Sequence, residues 1–431
     1  MKKRKVFLLG AGAAMDWHKG PSTSKITKFI RESGFKNAEG EYVTEKIFQW
    51  LSENGKEPNF ETILSVIEYF FQFWMRDKND WPNGLNYFID KEDVKWRDFI
   101  DLEINQRLKQ NKNNRYSIEF PSSVHLTHLG SNISSNIHPN AKYFELLLIE
   151  LFQIISSIIA DYSFYTSFNQ KFYLCGNNSE INGLMQTYIR NESKTKFLRL
   201  YSLNYDNILQ VLFEKEGIPI IQGFDTNGRN IVCRLDNYGV KPSPNSILFE
   251  RNKHCVYHLH GNANWIIKEY NDNVIKSYEY RLKGYIDFND NSANLERNME
   301  QGKPLFLTNI VTGYQKTQRT SLSPLRQMMS SFDMDCQTAD EIIIIGYSFG
   351  DEHINDIIRQ AKKENNNLKV KIVDPSFTHE RAKQFLLNFI SDWGKISDFV
   401  FKEINKNELI SEQYNVEIYK MNFRSYLQKK L

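Results

Sequence analysis

The sequence predicts an α/β protein, a parallel β-sheet covered by helices and interrupted by a large helical insertion. Three observations carry that expectation. Short apolar runs at residues 6–9, 197–203, 341–345 and 368–373 have the length of buried strands. A helical pattern follows each of them, which is the alternation of βα units on a parallel sheet. The stretch 36–194, between the first two runs, is too long for a loop and carries amphipathic patterns of its own.

The elements follow in order. Lys2, Lys3, Arg4 and Lys5 ahead of VFLLGAGAAM imitate a secretion signal. Gly10 and Gly12 break the apolar run, however, and a patterned helix follows, so the expectation is a buried strand entering a Gly-rich turn. In that helix Ser22 and Ser24 offer N-caps, Ile26, Phe29 and Ile30 form a stripe, and Gly34 is the stop. The insertion contains FETILSVIEYFFQFW and YFELLLIELFQIISSIIADY, with Asn-rich connections at 111–114 and 132–140. Its longest apolar run carries Glu150, Gln153 and Asp161, which marks a core helix and not a membrane span. After the second strand, Ile208, Val211 and Leu212 make an apolar face that ends at Gly217. Residues 255–259 and 304–308 are further strand candidates, and the polar, aromatic stretch 270–298 reads as a hairpin or a helix pair. After the third strand, Ile354, Ile357, Ile358 and Ala361 recur at helical spacing. No internal repeat of fixed period is present. The domain reading is a discontinuous core of residues 1–35 and 195–395, a helical insertion at 36–194, and a C-terminal extension at 396–431.

Composition narrows the function classes. The chain has 431 residues, 41% of them hydrophobic and 25% charged, which excludes a disordered or collagen-like chain. Lys and Arg number 55 against 52 Asp and Glu, and a net charge of +3 argues against broad electrostatic capture of nucleic acid. Cys175, Cys233, Cys255 and Cys336 form no CxxC pair, so neither a zinc ribbon nor a disulfide framework is expected. Reduced thiols in a cytoplasmic protein are the simplest reading.

The residues able to carry chemistry stand at strand ends. Gly10, Ala11 and Gly12 follow the first strand, where glycines let a backbone approach a phosphate or merely make a tight turn. Met15 stands where a third glycine of GxGxxG would be. In LNYDN, Asn204 could orient a water or a ribose hydroxyl, or simply end the strand, and Asp206 suits a helix cap better than a ligand contact. In VYHLHGNANW, His258 and His260 share one face of a strand, but no third metal ligand stands at sensible spacing. His260, ahead of Gly261, is placed to act as a general base; a structural histidine is the competing reading, above all for His258. In GYSFGDEHIN, Gly346 and Ser348 suit contact with a nucleotide, while Asp351 and Glu352 suit the start of the following helix. Asp374 ends the last strand, where an acid reads a ribose diol or a Pro-directed turn forms.

The order of these motifs along one chain resembles the sirtuin-like NAD-binding fold, over about half of the sequence. The resemblance implies a Rossmann-like parallel sheet of the sirtuin type, with NAD as substrate. It implies that Gly10, Ala11 and Gly12 cradle the NAD phosphates and that Asn204 and Asp206 are the Asn-x-Asp pair beside the nicotinamide ribose. It makes His260 the catalytic histidine, places Gly346 and Ser348 on the adenosine side, and puts Asp374 near the adenosine ribose. Deacylases of this family carry two cysteine pairs that bind zinc, and a loop reading Ile-Pro-Asp-Phe-Arg. Here there are no such pairs, the loop reads Gly20-Pro21-Ser22-Thr23, and Leu203 replaces the usual Gln before the Asn. The remaining chain is similar to bacterial sirtuin-like defence effectors, which hydrolyse NAD and lack zinc. That similarity implies an antiphage NADase that is a homo-oligomer, with a HerA-like ATPase or a short Argonaute as partner. An NAD-dependent deacylase and a non-catalytic NAD or ADP-ribose sensor are the alternatives.

Overall fold

Alternation along the first strand explains why its run is apolar throughout. In β1 (Lys3–Leu9), Phe7 and Leu9 enter one hydrophobic core while Val6 and Leu8 enter the other, so the strand is covered on both faces. The computed structural model describes residues 3–17, 20, 22–34, 40–53, 55, 58–75, 108–110, 116–118, 144, 147–148, 150–152, 154–155, 158–159, 163–166, 171–174, 178–225, 240–270, 275–280, 295–300, 303–312, 320–378, 380 and 401–431. The Asn-rich connections expected at 111–114 and 132–140 lie outside the described residues, as do Cys175 and Cys233.

After β1 the strands are β2 Leu108–Gln110, β3 Tyr116–Ile118, β4 Ser163–Thr166, β5 Lys171–Leu174, β6 Lys196–Ser202, β7 Ile220–Ile221, β8 His254–His258 and β9 Trp265–Tyr270. Then come β10 Ile275–Tyr280, β11 Leu295–Glu300, β12 Lys303–Thr308, β13 Glu341–Ile345, β14 Lys369–Val373, β15 Lys402–Asn405, β16 Glu408–Ser411 and β17 Val416–Tyr419. Nine of them form one sheet in the order β15-β16-β17-β14-β13-β1-β6-β8-β7. Contacts from β17 to β7 are parallel, and β15 and β16 add an antiparallel edge. Leaving out the two-residue β7, the parallel strands stand in chain order 3-2-1-4-5-6, the doubly wound Rossmann arrangement. Its topological switch point falls between β1 and β13, where such sheets bind ligands.

The described residues of the stretch 36–194 share a core with the sheet. Ile47, Leu51, Ile63, Ile67, Phe71, Phe144, Leu147 and Leu151 lie in the same core as Phe7 and Leu9. The described positions from 144 to 159 are helical and mostly buried, in agreement with the core-helix reading. The region is not purely helical, because it also holds the antiparallel pairs β2/β3 and β4/β5. The stretch 270–298 contributes to a hairpin, β9 with β10, and β12 pairs with β11 instead of joining the main sheet. Residues beyond 396 contribute β15, β16 and β17 to the sheet edge. Ser22 caps the helix Thr23–Arg31 by accepting from the Lys25 amide at 3.1 Å. Phe29 departs from the expected stripe: it is 46% exposed, because Ile26, Thr27 and Ile30 take the buried face.

Opposite that core, a buried ion pair fixes the helix Leu325–Thr338 on the sheet. Asp335 accepts from Arg199 Nε at 2.5 Å, the Tyr201 hydroxyl at 2.6 Å and Arg251 at 3.1 Å. Both Arg199 and Asp335 are fully buried, so each meets the other's desolvation with a partner. Cys255 and Cys336 are buried free thiols, and burial pushes Cys255 up to about 12, which keeps it unreactive. Among the described residues, no helix is long and apolar enough to cross a membrane.

Candidate functional site

One row of paired residues crosses the sheet at its carboxyl end. His258 of β8 pairs with Ser202 of β6, Ser202 with Leu9 of β1, Leu9 with Ile345 of β13, and Ile345 with Val373 of β14. Parallel strands in this register release their chains side by side. Gly10, Gly346 and Asp374 are therefore one residue past the row, and Asn204 and His260 two residues past it. Register alone gathers motifs that are more than 300 residues apart in the chain.

The two glycine loops meet backbone to backbone at the switch point. Gly10 N–H donates to the Ile345 carbonyl and Gly12 N–H to the Gly346 carbonyl, both at 2.9 Å. A Cβ on Gly10 would stand 2.5 Å from the Gly346 oxygen, and one on Gly12 would stand 2.7 Å from the Gly346 Cα. The glycines therefore serve this junction first. Ala13 N–H turns back to the Gly10 carbonyl at 3.0 Å, so among the described residues only the Ala11 amide of this turn enters none of these bonds. A phosphate here would meet the Ala11 amide, not the row of open N–H groups expected from the Gly-rich loop.

Asn204 is half-buried, and its Nδ2 donates to the Gly10 carbonyl at 3.1 Å, which ties β6 to the glycine loop. That bond also sets the amide's orientation, leaving Oδ1 as the acceptor end. Beneath it, His258 Nδ1 donates to the Asn204 carbonyl at 2.9 Å. His258 Nε2 faces the side-chain amides of Asn262 at 3.2 Å and Gln210 at 2.5 Å. Burial pushes His258 down to about 4, so it is neutral and acts as a strut. The structural reading of His258 is the correct one, and no group of three or more His, Cys, Asp or Glu suited to a metal occurs among the described residues. Asp206 Oδ1 accepts the Ile208 amide at 3.0 Å, which is the capping role.

His260 is 3% exposed, and its Nε2 lies 3.7 Å from the Asp351 carboxylate. Its loop is pinned by Val311 N–H donating to the His260 carbonyl at 2.7 Å. Gly261 is required next to it: its φ is +82°, and a Cβ there would be 2.1 Å from the Asn309 oxygen. Ser348 is exposed on the loop after β13. Asp374 Oδ1 takes two bonds from Ser376, from N at 2.8 Å and Oγ at 2.7 Å, so this oxygen serves the Pro-directed turn and not a ribose. Gly10, Asn204, His260 and Gly346 thus stand on one rim, with Ser348 and Asp374 on the β13 and β14 side of it.

Sequence reasoning missed part of this rim. Asn262 is fully buried and bonds to the Asp206 carbonyl, to Asn207 Oδ1 and to His258. Gln210 is buried inside the apolar face ILQVLF, and a polar residue on such a face was the available signal. Asp351 was read as a helix-start acid, whereas its side chain turns toward His260.

Residues 199–391 match the SIR2-like domain family. No curated protein matches the chain. The family match begins after β1, yet β1 lies between the matched strands β6 and β13 and supplies the glycine loop that both contact. SIR2-like domains bind NAD, and enzymes of the family use it. The α/β sheet, its switch point and the matched segment together mark residues 199–391 as a SIR2-like domain, which supports a sirtuin-like reading of the chain.

Proposed function

We propose that this chain hydrolyses NAD+ to nicotinamide and ADP-ribose, and that it serves as the effector of a bacterial antiphage system by depleting NAD+. The observation that carries the hydrolase reading is the placement of Asn204 and His260 on adjacent loops at the carboxyl end of a SIR2-like sheet. The defence role rests on the resemblance to sirtuin-like effectors.

The chemistry asks little of the protein in acid catalysis. Nicotinamide is a cationic leaving group, so its glycosidic C–N bond breaks with the electron pair moving onto the ring nitrogen, and neutral nicotinamide leaves. The ribose becomes oxocarbenium-like, as in other glycoside cleavages. Asn204, with Nδ2 held by Gly10, presents Oδ1 to the hydrogen of a water or a ribose hydroxyl. As the water oxygen bonds to the ribose carbon, its proton passes to His260, directly or through a ribose hydroxyl, and then to solvent. The test is nicotinamide and ADP-ribose release by the purified protein, with His260→Ala and Asn204→Ala alongside. Both variants fold as wild type does and lose turnover by at least about 100-fold. A variant that folds and keeps full turnover refutes its residue's role, and formation of 2′-O-acetyl-ADP-ribose from an acetyl peptide would assign a deacylase instead.

A further inference from the structure

Asp351 stands at the N-cap of the helix Glu352–Glu364, where an aspartate normally accepts a backbone amide of the first turn. Its side chain makes no capping bond. The carboxylate comes instead to 3.7 Å from His260 Nε2, too far for a hydrogen bond and close enough for strong charge interaction. The loop is built to hold it there. The Tyr347 hydroxyl accepts the Asp351 amide at 3.1 Å and lies 3.0 Å from Asn355 Oδ1. Asn355 Nδ2 in turn holds the Phe349 carbonyl at 2.9 Å, and Phe349 has a left-handed φ of +62° that a non-glycine residue adopts only when its surroundings enforce it. An aspartate that makes no capping bond, on a strained, braced loop and aimed at a histidine three strands away, is a costly arrangement for a merely structural acid.

We propose that Asp351 is a positioning residue for His260: its negative charge stabilises the imidazolium formed when His260 accepts the proton released by the attacking water. This rests on the hydrolase reading above. In the step, the water O–H bond breaks, its proton forms the N–H bond of the imidazolium, and the positive charge arises beside the Asp351 carboxylate. The net charge of the pair goes from −1 to zero as the proton arrives, and His260 returns the proton to solvent as ADP-ribose leaves. Around the pair, His353 has its ring 6.4 Å from that of His260, and Tyr205, Tyr347, Glu61 and Glu352 are the other titratable groups whose fields reach Asp351 or its loop.

The experiment compares wild type with Asp351→Asn, Asp351→Glu and Asp351→Ser, using steady-state NAD turnover from pH 5 to 9 and the His260 C2–H proton titration by NMR, assigned by its loss in His260→Ala. Asp351→Asn is expected to move the acid limb of the rate profile, and the His260 titration, down by about one unit or more. It should lower kcat by about tenfold or more while leaving KM for NAD nearly unchanged. Asp351→Glu should restore part of both shifts. Asp351→Ser places a side chain able to cap the helix there without the charge, and it takes the place of Asn if that variant does not fold. Equal losses in Asn and Glu with an unmoved limb and an unmoved titration overturn the proposal. If wild type releases no nicotinamide, the hydrolase reading fails, and the His260 titration still decides whether Asp351 acts on His260.

Discussion

Replacing Gly346 with alanine tests the junction on which the site is built. The new methyl would stand 2.3 Å from the Ala13 amide nitrogen and 2.4 Å from the Gly12 carbonyl carbon. Both neighbours are backbone, so no rotamer change can relieve the overlap. The left-handed backbone at φ +57° adds about 1–2 kcal/mol, and forcing a methyl into a packed contact typically adds about 1–3 kcal/mol. A loss of about 2–5 kcal/mol follows, a large share of the roughly 5–15 kcal/mol that holds a domain folded. Two glycines separate the contributions. Gly217 has a φ of +64° with nothing within 4 Å of its Cβ position, so Gly217→Ala should cost about 1 kcal/mol. Gly183 lies in the helix Ser179–Glu192 with equally open space, so Gly183→Ala should stabilise by up to about 1 kcal/mol. Urea denaturation followed by circular dichroism gives the three values, read as midpoint shifts at unchanged m. A Gly346→Ala protein as stable as Gly217→Ala would show that the two loops can part, and the close-approach argument for Gly10 and Gly12 would go with it.

Two stability predictions stand beside the activity tests. Asp335→Ala leaves three guanidiniums gathered at a fully buried position without their carboxylate, and should cost about 3–5 kcal/mol. Glu216→Ala removes the partner of Arg190, which is 57% exposed and whose charge water screens, and should cost clearly less, so equal losses in urea denaturation would refute the buried-network account. His258 ordinarily titrates near 6.5 and is held at about 4 by burial, so the unfolded chain takes up its proton first as pH falls. Its contribution is fully present above pH 6.5 and is lost as pH falls through 6.5 toward 4, by about 3 kcal/mol. His258→Asn should flatten that part of the stability profile, and a wild-type-minus-variant difference that is level across the window contradicts a neutral buried His258.

Much of the sheet was legible because buried strands carry a dense local signal. The runs at 6–9, 341–345 and 368–373 match β1, β13 and β14 to within a few residues, since a strand covered on both faces admits almost nothing but apolar side chains. The edge strand β15 carries no strand signal because it is exposed along its whole length and its residues look like any polar tail, and β16 and β17 are only four residues each, too short for a local pattern to mark. The hairpin β9/β10 stayed open between two readings for a similar reason, having no long apolar run to fix its period. Within the candidate site, Asn204, His260 and Gly346 stand out in the sequence by residue type and strand-end position. For Asp374 the strand-end position admits either a ribose contact or a Pro-directed turn, and two short bonds from Ser376 commit one of its oxygens to the turn, a local chemistry weakly marked in sequence.

The sequence by itself determined the class of the protein and the identity of its chemically able residues, because strand burial, helix periodicity and strand-end motifs are all local consequences of side-chain chemistry. Only the tertiary structure decided which of those residues meet. The level row from His258 to Val373 brings five loops to one rim, and it depends on strand order and register, which no local pattern records. The same holds for Asp351: its type and position suit a helix cap, and only the approach of the β8 loop gives its charge another partner in His260. Local chemistry fixes what a side chain can do, and long-range packing chooses which neighbour it does it to.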